Sequence, residues 1–477
     1  MRRNAQHLVV AGLLLALSLT SCVPSLKIVE VNRSTPARYA DAMTDTTNTG
    51  AVNRQRFFSD AELRALIDTA LAHNQELNIM LQEIEVARNE ARARKGEYLP
   101  FVDIGAAADA EKVGRYTRDG AVEEKLPVAE GKAFPEPLPN FMLAAHASWE
   151  IDVWKKLRRA KQAAVMRYLG TVEGRNFMVT HLVAEIANSY YELMALDNQL
   201  EILRENIAIQ QDALEIVKLE KQAAKVTELA VRRFEAEVLK NRSNLFAIQQ
   251  RIVETENHIN FLVGRYPQPV RRNSAAFNGL QPDSLYAGVP AQLLGQRPDI
   301  RRAELELSAA KLDVRAAKAN FYPSVRLTAG VGLNALSLPY LVETPASLAY
   351  HVAGELVAPL INRNAIKAAY ATASARQIQA VYEYDRTMLN AYIEVLNQLS
   401  NMGNLRSSYA LRKQQVDALS SSITISTNLF RSARADYMEV LLTQRDALES
   451  KFDLVDTRKQ QLNAMVTMYR ALGGGWR

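Results

Sequence analysis

The sequence predicts a mainly α-helical chain that carries a membrane β-sheet, built by duplicating one unit of β-hairpin and long helices. Three observations predict it. The hydrophobic period changes abruptly at Pro323, the same change occurs at Pro100, and two proline-free helical tracts each run for about 70 residues.

Ahead of Pro323, Ile300, Ala303, Leu307, Ala310, Val314, Ala317 and Phe321 recur at steps of three and four, the seam of a helix that packs on neighbours. Pro298 and Asp299 suit its first turn, where a missing N–H costs nothing and a carboxylate meets the positive end of the dipole. Beyond Pro323 the period becomes two: Val325, Leu327, Ala329 and Val331 point one way, and Ser324, Arg326, Thr328 and Gly330 the other. That pattern is a strand with one greasy face.

An offset of 223 residues reproduces this text around Pro100, where Leu77, Met80, Ile84, Ala87, Ala91, Arg94 and Tyr98 form the seam, apolar except for Arg94, and Val102, Ile104, Ala106 and Ala108 alternate with Asp103, Gly105, Ala107 and Asp109. The return strands match at an offset of 205, which places His351 on His146 and Glu355 on Glu150. The first hairpin loop is therefore 18 residues longer, a length tolerated outside a cell.

The expected organisation follows. Residues 1–21 are a signal peptide and 22–58 a polar tether from a lipid anchor. The first repeat spans 59–264 with its hairpin at 101–152, a linker occupies 265–296, the second repeat spans 297–472 with its hairpin at 324–357, and 473–477 is a tail. Within the first repeat one helix is expected over 59–97, capped by Ser59, then a long helix over 153–222, a break at 223–226, and a helix over 227–264 whose seam includes the polar Asn241. The second repeat has its long helix over 361–431, a break near Ala433 and a last helix from Asp436.

Composition narrows the class. With 48% hydrophobic and 23% charged residues among 477, the chain is neither disordered nor a bundle of membrane helices, since the only long apolar run is N-terminal. A net charge of +6 is spread out, as solvated helix faces require, and gives no nucleic-acid patch. The single cysteine, Cys22, rules out internal disulfides and cysteine metal clusters. Arg2 and Arg3 precede the short apolar run Leu8 to Leu19, and Leu19, Thr20, Ser21 and Cys22 resemble a lipobox, which implies an acylated Cys22. Val23 in place of aspartate favours export to the outer membrane.

Four strands per chain cannot close a barrel, and an open sheet in hydrocarbon would leave two rows of backbone groups unpaired, so several copies must share one barrel. The polar face, with Asp103, Asp109, His146, Glu150, Arg326, His351 and Glu355, suits a wet lumen. His146 and His351 have no ligand-spaced cluster around them and are read as lumen lining, with no metal site. Gly330 and Gly332 lie in a strand with no following lysine, so they make no nucleotide loop, and no nucleophile and base constellation is evident. No cofactor is expected. Tyr98, Phe101, Phe321 and Tyr322 flank the two prolines and suit an aromatic girdle.

LGQRPDIRRAE from Leu294, AKANFYPS from Ala317, SWEIDVW from Ser148, VTELAV from Val226 and FRSARADYMEVLLTQRDAL from Phe430 resemble the repeated motifs of the TolC-like outer membrane efflux proteins, in their lipid-anchored branch. The resemblance implies a homotrimer: a twelve-stranded barrel in the outer membrane of a Gram-negative bacterium, continued by a periplasmic α-helical tunnel. It also implies partnership with an adaptor (membrane fusion) protein and an inner-membrane efflux pump, and passive conduction of drugs or other small toxic compounds. Type I secretion and metal-ion efflux remain alternatives of the same class. A periplasmic adaptor would lack the duplicated greasy hairpins, and a structural coiled-coil lipoprotein would lack strands. By resemblance, Asp436 with Arg431 and Tyr437 forms the periplasmic gate, and Ala224, Thr227, Glu228 and Ala433 form the adaptor-contacting tips. The family's tip glycines are replaced by Ala224 and Ala433, and its aspartate after VTEL by Ala230, which leaves the tip geometry open.

Overall fold

A computed structural model of the chain describes residues 23–24, 30, 35–39, 47–129, 131–280, 286–432 and 434–477. The signal peptide, Cys22 and Ala433 lie outside the described residues. The chain divides into two units, one holding Glu85–Leu169 and Leu305–Tyr382, the other Val31–Ile84, Gly170–Glu304 and Glu383–Arg477. The main elements are α1 (Ala61–His73), α2 (Gln75–Gly96), β1 (Phe101–Glu111), β2 (Leu138–Ile151), α3 (Lys156–Gln222), α4 (Glu228–Val263), α5 (Pro298–Ala319), β3 (Ser324–Ala335), β4 (Leu348–Val357), α6 (Asn364–Arg431) and α7 (Tyr437–Ala471). Among the described residues no helix is long and apolar enough to cross a membrane.

The first unit is built on a four-stranded antiparallel sheet in the order β1-β2-β3-β4. The alternating residues leave each strand one apolar face, and the register stacks these faces in rows: Val102, Ala147, Ala329 and Val352 in one, Ile104, Ala145, Val331 and Tyr350 in the next. The joining of the two hairpins through β2 and β3 is a long-range pairing that local pattern could not announce. Among the described residues β1 and β4 have no partner on their outer edges, and both are exposed at every position.

The loop of the first hairpin folds on itself as a helix, Arg118–Lys125, and a small ribbon, Pro127–Ala129 with Lys132–Ala133. Lys112 and Arg115 both pair with Glu136, at 2.8 and 3.0 Å, and close its base. Each hairpin then turns into a long helix through a left-handed residue, Lys155 (φ 60°) before α3 and Asn362 (φ 53°) before α6. At 67 and 68 residues, α3 and α6 are each about 100 Å long.

The second unit holds most of the buried side chains. Leu63, Ile67 and Ala70 of α1 pack with Ile186, Tyr190 and Leu193 of α3, Ile259 and Leu262 of α4, and Val466 and Tyr469 of α7. Val270 and Phe277 of the linker are buried in the same cluster. Leu293, Ile300, Tyr384, Val395, Met468 and Leu472 form a second. Each fully buried large aliphatic of this kind stabilises the fold by about 1.5–3 kcal/mol.

Two expectations are corrected at the first helix. Its cap is Asp60, whose Oδ1 accepts from the N–H groups of Glu62 and Leu63, where Ser59 was expected. The helix is also interrupted at Asn74, which no proline or glycine announces. The Asn74 side chain accepts from the Leu77 N–H and donates to the Leu262 carbonyl, competing locally with the helical backbone and gaining a distant acceptor in exchange.

Candidate functional site

The sheet separates two chemistries. On one face the large apolar side chains stand free: Ile104, Tyr350 and Val352 are 78%, 79% and 81% exposed in the single chain. A contiguous apolar surface of this extent belongs against lipid or another chain. The opposite face carries Asp103 and Asp109 from β1, His146 and Glu150 from β2, Arg326 from β3, and His351 and Glu355 from β4. The register gathers them in two rows, Asp103–His146–Gly330–His351 and Glu150–Arg326–Glu355. Asp109 accepts from the Asn140 amide at 3.0 Å, and Glu150 holds the Lys156 ammonium at 2.5 Å.

At the ends of the strands nearest the prolines, Trp154 stacks on Tyr322 at 4.8 Å and its indole N–H donates to the Pro323 carbonyl. The Trp149 indole donates to the Tyr98 carbonyl at 3.0 Å. These tryptophans tie strand ends to helix ends. Phe321 departs from the expected girdle: it is fully buried, edge-on to Tyr370 and beneath the Arg363 guanidinium, so it is a packing residue.

The two helix-hairpin tips lie in the second unit. The first turns between Gln222 and Glu228 with Ala224 at φ 58°, a left-handed conformation that favours glycine. Lys221 and Arg232 close on Glu228 at 2.5 and 2.8 Å. The Lys221 hydrogen bond and charge, helped by Arg232, hold the Glu228 carboxyl below its usual range. Thr227 and Asp436 occupy the N-cap positions of α4 and α7 with extended backbones, and neither side chain makes a cap hydrogen bond. Arg431 ends α6 exposed, and Tyr437 begins α7 packed on a cluster of Leu214, Val217, Ala230, Val231, Phe234 and Val238. Ala230 is fully buried there, so an aspartate at that position would bury a carboxylate among apolar side chains.

A scan against known families matches the outer membrane efflux proteins over residues 66–265 and 289–474. The chain belongs to that family. It is an outer membrane efflux channel, and such channels transport without being enzymes. Cation efflux system protein CusC of Escherichia coli O6:H1 is 25% identical over 420 residues, covering 88% of this chain and 87% of CusC. Toluene efflux pump outer membrane protein TtgF of Pseudomonas putida is 28% identical over 443 residues, covering 90% and 87%. In fold, the open state of the Neisseria gonorrhoeae MtrE outer membrane channel superposes with a TM-score of 0.83 over 96% of this chain and 99% of MtrE, at 20% identity.

Two features of the efflux channel escaped its sequence. The first is a clasp in the second unit, inside the QRPD text. The Arg297 guanidinium forks onto Asp299 at 3.0 and 2.8 Å, donates to Glu394 at 2.8 Å and to the Ala471 carbonyl at 2.8 Å, while Arg470 holds the other oxygen of Glu394 at 2.7 Å. Burial pushes the Glu394 carboxyl up, but the Arg297 charge and the hydrogen bonds of both arginines outweigh it and leave the group below its usual range. Beside the clasp, burial and the Arg470 charge lower His181. The motif was legible as a family signature, but its partners, 97 and 174 residues away, were not. The second is the approach of His146 to His351, whose ring centroids are 6.1 Å apart.

Proposed function

We propose that three copies of this chain complete one closed barrel of twelve strands and act as the passive exit duct of a tripartite efflux system, with a periplasmic adaptor and an inner-membrane pump as partners. The observation that carries the reading is the open sheet whose two edges and apolar face are uncovered among the described residues. Hydrocarbon tolerates such a sheet only when copies pair its edges. Cys22 is the lipid anchor. The acidic and basic side chains from Asp103 to Glu355 line the water-filled lumen, while Asp436, Arg431 and Tyr437 gate the periplasmic end. Ala224, Thr227, Glu228 and Ala433 meet the adaptor. The uncapped carboxylate of Asp436 supports the gate, since it is not engaged by its own helix.

Relatives named for toluene and cation efflux support small toxic solutes as cargo. The test is a heat-resistant oligomer of about three chain masses in detergent, and planar-bilayer conductance that rises when the tip charges are removed by Asp436→Asn and Glu228→Gln. A monomeric protein, or one that never conducts even with both tips altered, would defeat the reading.

A further inference from the structure

His146 and His351 lie on β2 and β4, two strands apart, with Gly330 of β3 between them. Strands so related are about 9.6 Å apart, twice the ordinary 4.8 Å spacing. The imidazole centroids are nevertheless 6.1 Å apart, because both rings lean over the bare glycine. A Cβ on Gly330 would lie 2.4 Å from Cε1 of His351 and 3.1 Å from Nδ1 of His146, so any other residue there would push the rings apart. Asp103 on β1 continues the row on the far side of His146. One step along, the row Gly105–Ala144–Gly332–Ala349 carries only glycine and alanine, so nothing large on that side shields the imidazoles from the lumen.

We infer that His146 and His351, brought together over Gly330, form a ring of imidazoles that weakens the channel's preference for cations as the pH falls. The inference rests on the lumen reading above. The charged groups on the same face are Asp103, Asp109 and Glu111 of β1, Glu150 of β2, Arg326 of β3 and Glu355 of β4, with Lys156 on Glu150. With neutral imidazoles, five carboxylates face two cations, an excess of three negative charges per chain, and small cations are favoured. Imidazole is the side chain whose charge changes between about pH 5 and 8, while carboxylates titrate nearer 4. Two imidazolium groups cut the excess from three to one, and the preference for cations weakens with it. Solutes with an anionic group then meet a smaller barrier on an acidic exterior. Gly330 is a positioning residue, acting only through the two rings.

The experiment is the potassium-to-chloride permeability ratio of the full chain in planar bilayers, read from reversal potentials between pH 8 and 5.5. The wild type should lose at least about twofold in the ratio over that range as the excess negative charge shrinks. His351→Gln should lose about half of that response, and the His146→Gln/His351→Gln pair nearly all of it, with heat-resistant oligomers retained. A pH-independent ratio in the wild type, or a wild-type response in the double variant, overturns the inference while leaving the duct reading intact. Absence of any conductance, even with Asp436→Asn and Glu228→Gln at the tips, overturns both. The His351 side chain stands exposed on the polar face of β4 and is not part of the backbone edge that pairs with the next copy, so His351→Gln alone decides the matter if the pair fails to assemble.

Discussion

Arg297 and Glu394 meet at 2.8 Å in the second unit, joining the start of α5 to the middle of α6. The Arg297 side chain is 9% exposed and also carries Asp299 and the Ala471 carbonyl. Arg297→Met should therefore destabilise the fold by about 3–5 kcal/mol, because Asp299 and the Ala471 carbonyl lose their buried partner and Glu394 keeps only Arg470. Loss of the heat-resistant form at lower temperature checks it.

The same clasp predicts a pH dependence. Glu394 is held below its usual range in the folded chain, so its contribution is complete above the unfolded value of about 4.3 and is lost as pH falls through the lower folded value. Resistance to heat or urea should be flat from pH 8 to 7, slip as the unfolded chain protonates His181 below about 6.5, and decline further below about 4, and Glu394→Gln should remove part of the decline below 4. An equal decline in the variant would exclude Glu394 as its source.

Asn241 donates its side-chain amide to Gln210 Oε1 at 2.8 Å, and both are buried between α3 and α4. Asn241→Leu should lower stability by about 1–3 kcal/mol, since Gln210 then keeps a buried acceptor without its donor. Adding Gln210→Leu should restore most of the loss. A double-mutant cycle by thermal unfolding measures the coupling.

Ala224 holds φ 58° at the first tip. Ala224→Gly should relieve about 1 kcal/mol of backbone strain and slow proteolytic cutting at that tip. Faster cutting would show instead that the entropy glycine adds to the unfolded tip outweighs the strain it relieves.

Val352 and Ala353 are neighbours on opposite faces of β4. Val352→Lys should reduce assembled channel in the outer membrane, a lipid-facing lysine costing about 2–4 kcal/mol near the midplane, while Ala353→Lys should assemble normally. Equal losses from both would mean that the assignment of faces is wrong.

What the amino-acid order shows without coordinates is whatever local periodicity can express. The change from a three-four seam to alternation at Pro100 and Pro323 places two hairpins, and their offsets reveal the duplication. The tracts without proline become α3 and α6, and alternation alone divides Asp103, His146 and Glu355 from Ile104, Tyr350 and Val352. Each of these depends on neighbours a few residues away, where backbone geometry dictates direction.

Tertiary structure decided the rest. The break at Asn74 depends on the Leu262 carbonyl, the joining of the hairpins on β2 meeting β3, the burial of Phe321 on Tyr370 and Arg363, and the Arg297 clasp on Glu394 and Ala471. The imidazole pair needed a glycine on a third strand. All are contacts between segments distant in the chain, and their free energy comes from burial and hydrogen bonding once the fold has formed. Periodicity carries no trace of them.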